Sequence, residues 1–369
     1  MNTTEASARH PANVDEWNEE IFKRLLPDSV ILMIYLVVGV LGNSVVLCIY
    51  IFRFKGNKQD RFFITALAFV DLMTTVTGTA SSFSVNMLPV KFESGIACKV
   101  IHFVPMTLST ASASLLLVIA VNRYLKICKP FRKQITLYWK KFTLIIISGS
   151  SVLLSLPCFL FYGPKEIVEE KTNITGTRCT NIRGPWSHIE PLVFKSVMFV
   201  VAVAILFSLV ILYILIGKQV FKHRNFNKKL SVHQGLNFSQ VTNSSVPPSL
   251  STAITHTTAS FESISLPTET ADHGTNRHCA QRDVGQRLEV RLTLIFMLIS
   301  LVFIICYAPK ITLMVYESRN ESFWIELDLA EMGGYRFLYT LIYINNIVNP
   351  VIYGFFDRRF RQEVTSTFC

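Results

Sequence analysis

The sequence predicts an all-α membrane protein, a seven-transmembrane helix bundle that ends in a short amphipathic helix. Three observations carry that prediction. Of the 369 residues, 50% are hydrophobic and only 17% are charged, against roughly a quarter charged in soluble domains. The apolar residues fall into seven blocks, each long enough at the helical rise to cross a hydrocarbon core of about 30 Å. The basic residues gather at the edges of these blocks, so the net charge of +11 reads as a topology signal and not as a nucleic-acid footprint. The eight cysteines are spread singly, with no CxxC pair and no Cys/His ligand spacing. Neither a zinc site nor a small disulfide scaffold is indicated.

Residues 1–28 form a polar, acidic segment without the basic start of a secretory leader, so the first span is expected to insert by itself. The transmembrane domain covers 29–355, with spans at about 29–52, 62–88, 98–125, 142–162, 191–216, 292–315 and 337–355. The segments between them alternate between two charge pools. The pool of 53–61, 126–141, 217–291 and 356–369 holds 22 Lys or Arg against 8 acids, and the opposite pool holds 11 against 16. By the positive-inside rule the first pool is cytoplasmic and the N-terminus extracellular. Asn2, Asn173 and Asn320 are glycosylation acceptors in the outer pool, whereas the acceptors at Asn237 and Asn243 fall inside and should be inert. The inner loop at about 225–285 includes 17 Ser or Thr between 231 and 275 and the Val246-Pro247-Pro248-Ser249 break. That composition predicts a disordered loop. Residues 356–369 form the amphipathic helix and tail, where the terminal Cys369 is a candidate for palmitoylation at the membrane lipid.

Polar residues inside spans are costly and mark function. Asn43, Asp71, Ser112, Asn345 and Asn349 fall in spans 1, 2, 3 and 7. A carboxylate among amides and a hydroxyl can hold a small hard cation such as sodium through oxygen ligands, or can serve as an interhelical hydrogen-bond network. No other cofactor is indicated. Nucleophile-elbow, HExxH and phosphate-loop patterns are missing, which speaks against an enzyme. No internal repeat or pair of broken helices points to a transporter or channel.

In order along the chain stand Gly42-Asn43, Leu67-Ala68-Phe69-Val70-Asp71, Cys98, Asn122-Arg123-Tyr124, Cys179 and Tyr213. There follow Phe303-Ile304-Ile305-Cys306-Tyr307-Ala308-Pro309, Asn349-Pro350-Val351-Ile352-Tyr353 and Phe356-Asp357-Arg358-Arg359-Phe360. By these the chain resembles a rhodopsin-type G-protein-coupled receptor over nearly its whole length. The resemblance implies a disulfide between Cys98 and Cys179, which are also the two cysteines of the outer pool. It implies a switch built from Asn122, Arg123, Tyr124, Tyr213, Phe303, Tyr307, Pro309, Asn349, Pro350 and Tyr353, with Pro309 and Pro350 as bending points. The chain departs from the family at Asn122, where an acid is usual, at Tyr307, where a tryptophan is usual, at Ile205 in place of a proline, and in lacking the span 4 tryptophan. With no acid at position 122, Glu289 at the foot of span 6 is the remaining acid that can pair with Arg123, or it is simply solvated among Arg287 and Arg291.

Family ligands sit in the outer half of the bundle. Amine receptors resemble one another in an Asp where this chain has Pro105, and opsins in a Lys where it has Tyr343, which disfavours both ligand types. The 163–190 loop reads as a hairpin turning around Thr175-Gly176, as in many peptide receptors. Lys195 and Lys310 can meet an anionic ligand group or can snorkel to headgroups. Met106, Ser109 and Tyr339 would line the same cavity. The expected function is binding of an extracellular peptide, of neuropeptide type, and activation of a heterotrimeric G protein at the plasma membrane. Arrestin and receptor kinases would act on the inner loop. Receptors for a small molecule or lipid, and more remotely a transporter or channel, are the alternatives.

Overall fold

In the computed structural model, residues 11–53, 58–169, 171–182, 189–242, 273–319 and 329–368 are described. Helix α1 (Val14–Cys48) starts well before the apolar run and widens into a π turn at Ile49–Arg53. Residues 14–28 of the polar N-terminal segment are therefore helical and continuous with span 1. Asn13 Oδ1 accepts from the Glu16 N–H at 2.9 Å, and Glu16 Oε2 accepts from the Ala12 N–H at 2.7 Å. These bonds satisfy donors at the helix start. Glu19–Lys23 and Glu20–Arg24 pairs support the next turns. Asn18 donates to the Met87 carbonyl and Lys91 pairs with Asp15, so the extension is tied to the loop after α2 (Lys58–Met87).

Ser94 caps α3 (Gly95–Cys128), which packs on α2 and on α4 (Leu137–Ser155). Pro157 ends that rod, and a single turn, α5 (Cys158–Phe161), leads into an antiparallel hairpin of β1 (Tyr162–Val168) and β2 (Thr175–Asn181). Its turn occupies 169–174, earlier than the sequence suggests. Glu169 Oε2 accepts from the backbone N–H groups of Lys171 and Thr172, and Asn173 takes a left-handed φ of 54°. Gly176 serves a different need: a Cβ there would lie 2.7 Å from the Val90 carbonyl oxygen and 3.0 Å from the Trp17 ring.

The long helix α6 (Ile189–Thr242) and helix α7 (His273–Arg319) stay helical far into the stretch read as a disordered loop. No proline falls between 192 and 246 to stop α6, and the Ser/Thr-rich centre, 243–272, lies outside the described residues. The seventh apolar block is divided into α8 (Leu329–Thr340) and α9 (Ile342–Phe356), followed by α10 (Arg358–Phe368). The break falls at Leu341, whereas Pro350, named as a bending point, lies inside α9. Thr340 Oγ1 donates to the Phe337 carbonyl, and Ile344 N–H to the Leu341 carbonyl, which tightens the chain there. At Pro350, the Asn346 carbonyl left without its helical donor accepts from Asn43 Nδ2 at 2.9 Å, and α9 passes through unbroken. Helix α7 likewise runs through Pro309.

Six of the described helical stretches are long and apolar enough to cross a membrane. Helix α3 sits centrally, touching α2, α4, α6 and α7, while α9 packs on α1, α2 and α7. Ile34, Val37 and Leu41 on α1 and Ile145 and Leu153 on α4 face outward, as a lipid-facing surface requires.

Candidate ligand cavity and signalling core

The hairpin is pinned over the outer end of α3 by a Cys98–Cys179 disulfide with a Cα separation of 5.5 Å. Beneath it opens a cavity of about 270 Å³. Pro105, Met106, Ser109, Lys310, Tyr339 and Tyr343, all picked out from sequence, line this one space. Lys195 does not: it stands on α6, partly exposed, outside the cavity wall. Tyr343 is held by α2, since its hydroxyl donates to the Gly78 carbonyl at 2.8 Å and lies 2.8 Å from Ser82 Oγ. A Cβ at Gly78 would strike that ring at 2.5 Å, so glycine permits the approach. The Lys310 ammonium sits 4.9 Å from the Tyr339 ring centroid, a cation–π contact.

Among the lining residues that sequence reasoning missed are Arg178, Arg336 and His102. Arg178 pairs with Lys165 across the hairpin register and stands next to the disulfide. Burial, with the Arg336 charge beside it, pulls the Arg178 guanidinium down to about 10. His102 stacks on Tyr162 with centroids 4.0 Å apart. The signal for Arg178 was its place beside Cys179, whereas nothing local marks Arg336.

Tyr307, itself on the cavity wall, shares a hydrogen bond with Ser109 and tilts against Phe303 at 4.1 Å. Deeper still, Asp71 accepts from Ser112 Oγ at 2.9 Å and from Asn349 Nδ2 at 2.5 Å. All three are buried, as is Asn345, one turn from Asn349. The Oδ1 atoms of Asn345 and Asn349 have no hydrogen-bond partner among the described residues. Oxygen acceptors left over around a carboxylate are the donor set a small hard cation takes.

At the inner end Asn122 and Arg123 are buried and Tyr124 partly so. The Arg123 guanidinium lies over the Phe296 ring of α7, 4.9 Å from its centroid. Tyr213 accepts from Ser300 Oγ at 3.1 Å. Tyr353 meets Tyr50 edge-on at 6.2 Å. Tyr50 donates to Asp357 Oδ2 at 3.0 Å and stacks on Phe360, which anchors α10 to α1. The Glu289 side chain, Asn2, Asn320 and Cys369 lie outside what the structure describes, whereas Asn173 is exposed on the hairpin turn.

A family model described as 7 transmembrane receptor (rhodopsin family) matches residues 42–353. The neuropeptide FF receptor 2 of Mus musculus is 23% identical over 349 residues, covering 92% of this chain and 72% of the relative. A bombesin receptor of Bombina orientalis is 24% identical over 348 residues, covering 91% and 74%. The cholecystokinin receptor of Xenopus laevis is 22% identical over 375 residues, covering 97% and 78%.

Proposed function

Because the chain belongs to the rhodopsin family of seven-transmembrane receptors, we propose that it binds an extracellular peptide in the cavity beneath the hairpin and activates a heterotrimeric G protein. The carrying observation is the cavity itself, roofed by a disulfide-pinned hairpin and lined by residues from α2, α3, α6, α7, α8 and α9. The relatives named for neuropeptide FF, bombesin and cholecystokinin support a peptide. In this reading the protein works at the plasma membrane with its N-terminus outside, and it makes and breaks no covalent bond. A ligand acts by binding one arrangement of the bundle more tightly than the other. Rearrangement would release Arg123 from Phe296 and bring Tyr213 and Tyr353 toward it. Asp71, Ser112, Asn345 and Asn349 fit a sodium ion that favours the resting arrangement by neutralising the buried carboxylate. Receptor kinases and arrestin would act on the Ser/Thr-rich inner loop, and α10 would lie along the inner membrane surface.

A library of secreted peptides applied to cells expressing the receptor tests this. A ligand-dependent second-messenger response without ion or solute flux is expected. Flux, or a response confined to lipids or small non-peptide molecules, would overturn the peptide assignment.

A further inference from the structure

Three cationic side chains reach the cavity from three different elements: Arg178 from β2, Lys310 from α7 and Arg336 from α8. No Asp or Glu stands among the described lining residues. His102 Nε2, on the same wall, is buried without a hydrogen-bond partner among the described residues. Arg178, Lys310 and Arg336 are each half-buried at this wall, and like charges gathered in such a partly enclosed space raise one another's energy, which a bound anion offsets. Burial first, and the neighbouring Arg336 charge second, lower the Arg178 guanidinium.

We propose that the cavity is an oxyanion site in which Arg178, Lys310 and Arg336 together hold a carboxylate or sulfate carried by the ligand. The assignment rests on reading this cavity as the ligand site, and it names the ligand's chemistry. The planar guanidinium groups can each give two parallel N–H bonds to such a group, and the Tyr339 ring fixes the Lys310 ammonium as a point charge beside them. Apolar side chains, among them Met106, Met198, Ile205 and Met314, line much of the rest of the wall, with hydroxyls such as Ser82 and Ser109 between them. An anion next to an aromatic or aliphatic group therefore matches the cavity, whereas a cationic end does not. A free C-terminal carboxylate, an acidic side chain and a sulfated tyrosine share this chemistry.

The test uses purified full-length receptor in nanodiscs of zwitterionic lipid, with the thermal midpoint as readout. The probes are N-acetyl-Phe-Phe as free acid and as amide, N-acetyl-O-sulfotyrosine amide, and 4-phenylbutyrate, which is an apolar anion without a peptide bond. The free acid or the sulfated probe should raise the midpoint and the amide should not, and which anion acts more strongly tells carboxylate from sulfate. Arg178→Gln, Lys310→Gln and Arg336→Gln should each weaken the apparent affinity about tenfold or more, while Arg178→Lys, which keeps the charge but not the paired N–H bonds, should fall between the parent and Arg178→Gln. Without probe, these variants should keep the parent's helical circular-dichroism signal and elution volume, which separates loss of the site from loss of the fold. Equal shifts by amide and acid, shifts unchanged in the variants, or no shift by either anion would overturn the oxyanion site. If 4-phenylbutyrate acts as strongly as the dipeptide acid, the oxyanion site stands and the peptide reading falls.

Discussion

Asn43 substitutes for the backbone donor that Pro350 lacks, and that role can be isolated. Its Nδ2 donates to the Asn346 carbonyl at 2.9 Å and also to the Gly39 carbonyl at 3.0 Å. Gly39 keeps its own helical bond from the Asn43 N–H, so Asn43→Leu orphans only the Asn346 oxygen. An unsatisfied buried carbonyl costs about 1 to 3 kcal/mol, and polar contacts between membrane helices measure near 0.6 to 1.7 kcal/mol. A loss of about 1 to 2 kcal/mol is expected, read as a lower thermal midpoint of purified receptor. Pro350→Ala restores an N–H that reaches Asn346 within α9. In that background Asn43→Leu should cost about 1 kcal/mol less, and the double-mutant cycle cancels any packing lost against Gly42. An equal cost in both backgrounds would refute the reasoning.

Cys179→Ser should abolish surface expression or ligand response, because it frees the hairpin from α3 at a typical cost of about 2 to 5 kcal/mol. Flow cytometry with a tagged receptor reads this directly, and Cys98→Ser should match it. Phe296→Leu removes the ring beneath Arg123, a contact worth about 0.5 to 2 kcal/mol. Ligand-independent signalling at matched expression should then rise several-fold, and unchanged basal signalling would remove this contact from the resting state. Asp71→Asn should abolish any effect of sodium on agonist affinity, measured by replacing sodium with a large organic cation. Persistence of the sodium effect would place the ion elsewhere.

The spans were legible because lipid imposes one rule on every residue of a crossing helix, and long apolar runs obey it. The N-terminal extension of α1 obeys another rule. Its Asn13-x-x-Glu16 start and its Glu19–Lys23 and Glu20–Arg24 pairs are signals of an aqueous helix, masked by reading only hydropathy. The break at Leu341 in span 7 carries no proline signal, and at Pro350 the freed carbonyl finds its partner in Asn43, some three hundred residues away, which no local pattern shows. The disulfide followed from the family resemblance and from the place of Cys98 and Cys179 in the outer pool, and the cavity residues Pro105, Met106, Ser109, Lys310, Tyr339 and Tyr343 from their depth along single helices. Arg178 and Arg336 did not, because their meeting depends on how a hairpin and the start of span 7 fold over the bundle. Lys195 failed for the same reason: its depth was readable, but the face it occupies on α6 depends on packing.

The most direct test of the account is nucleotide exchange on a purified heterotrimeric G protein, measured with the receptor in nanodiscs and an anionic peptide agonist drawn from the library. The account predicts that the peptide accelerates exchange, and that Lys310→Gln moves the dose-response curve about tenfold or more to higher concentration. Exchange at an unchanged rate with saturating peptide, or an identical curve for Lys310→Gln, would contradict it.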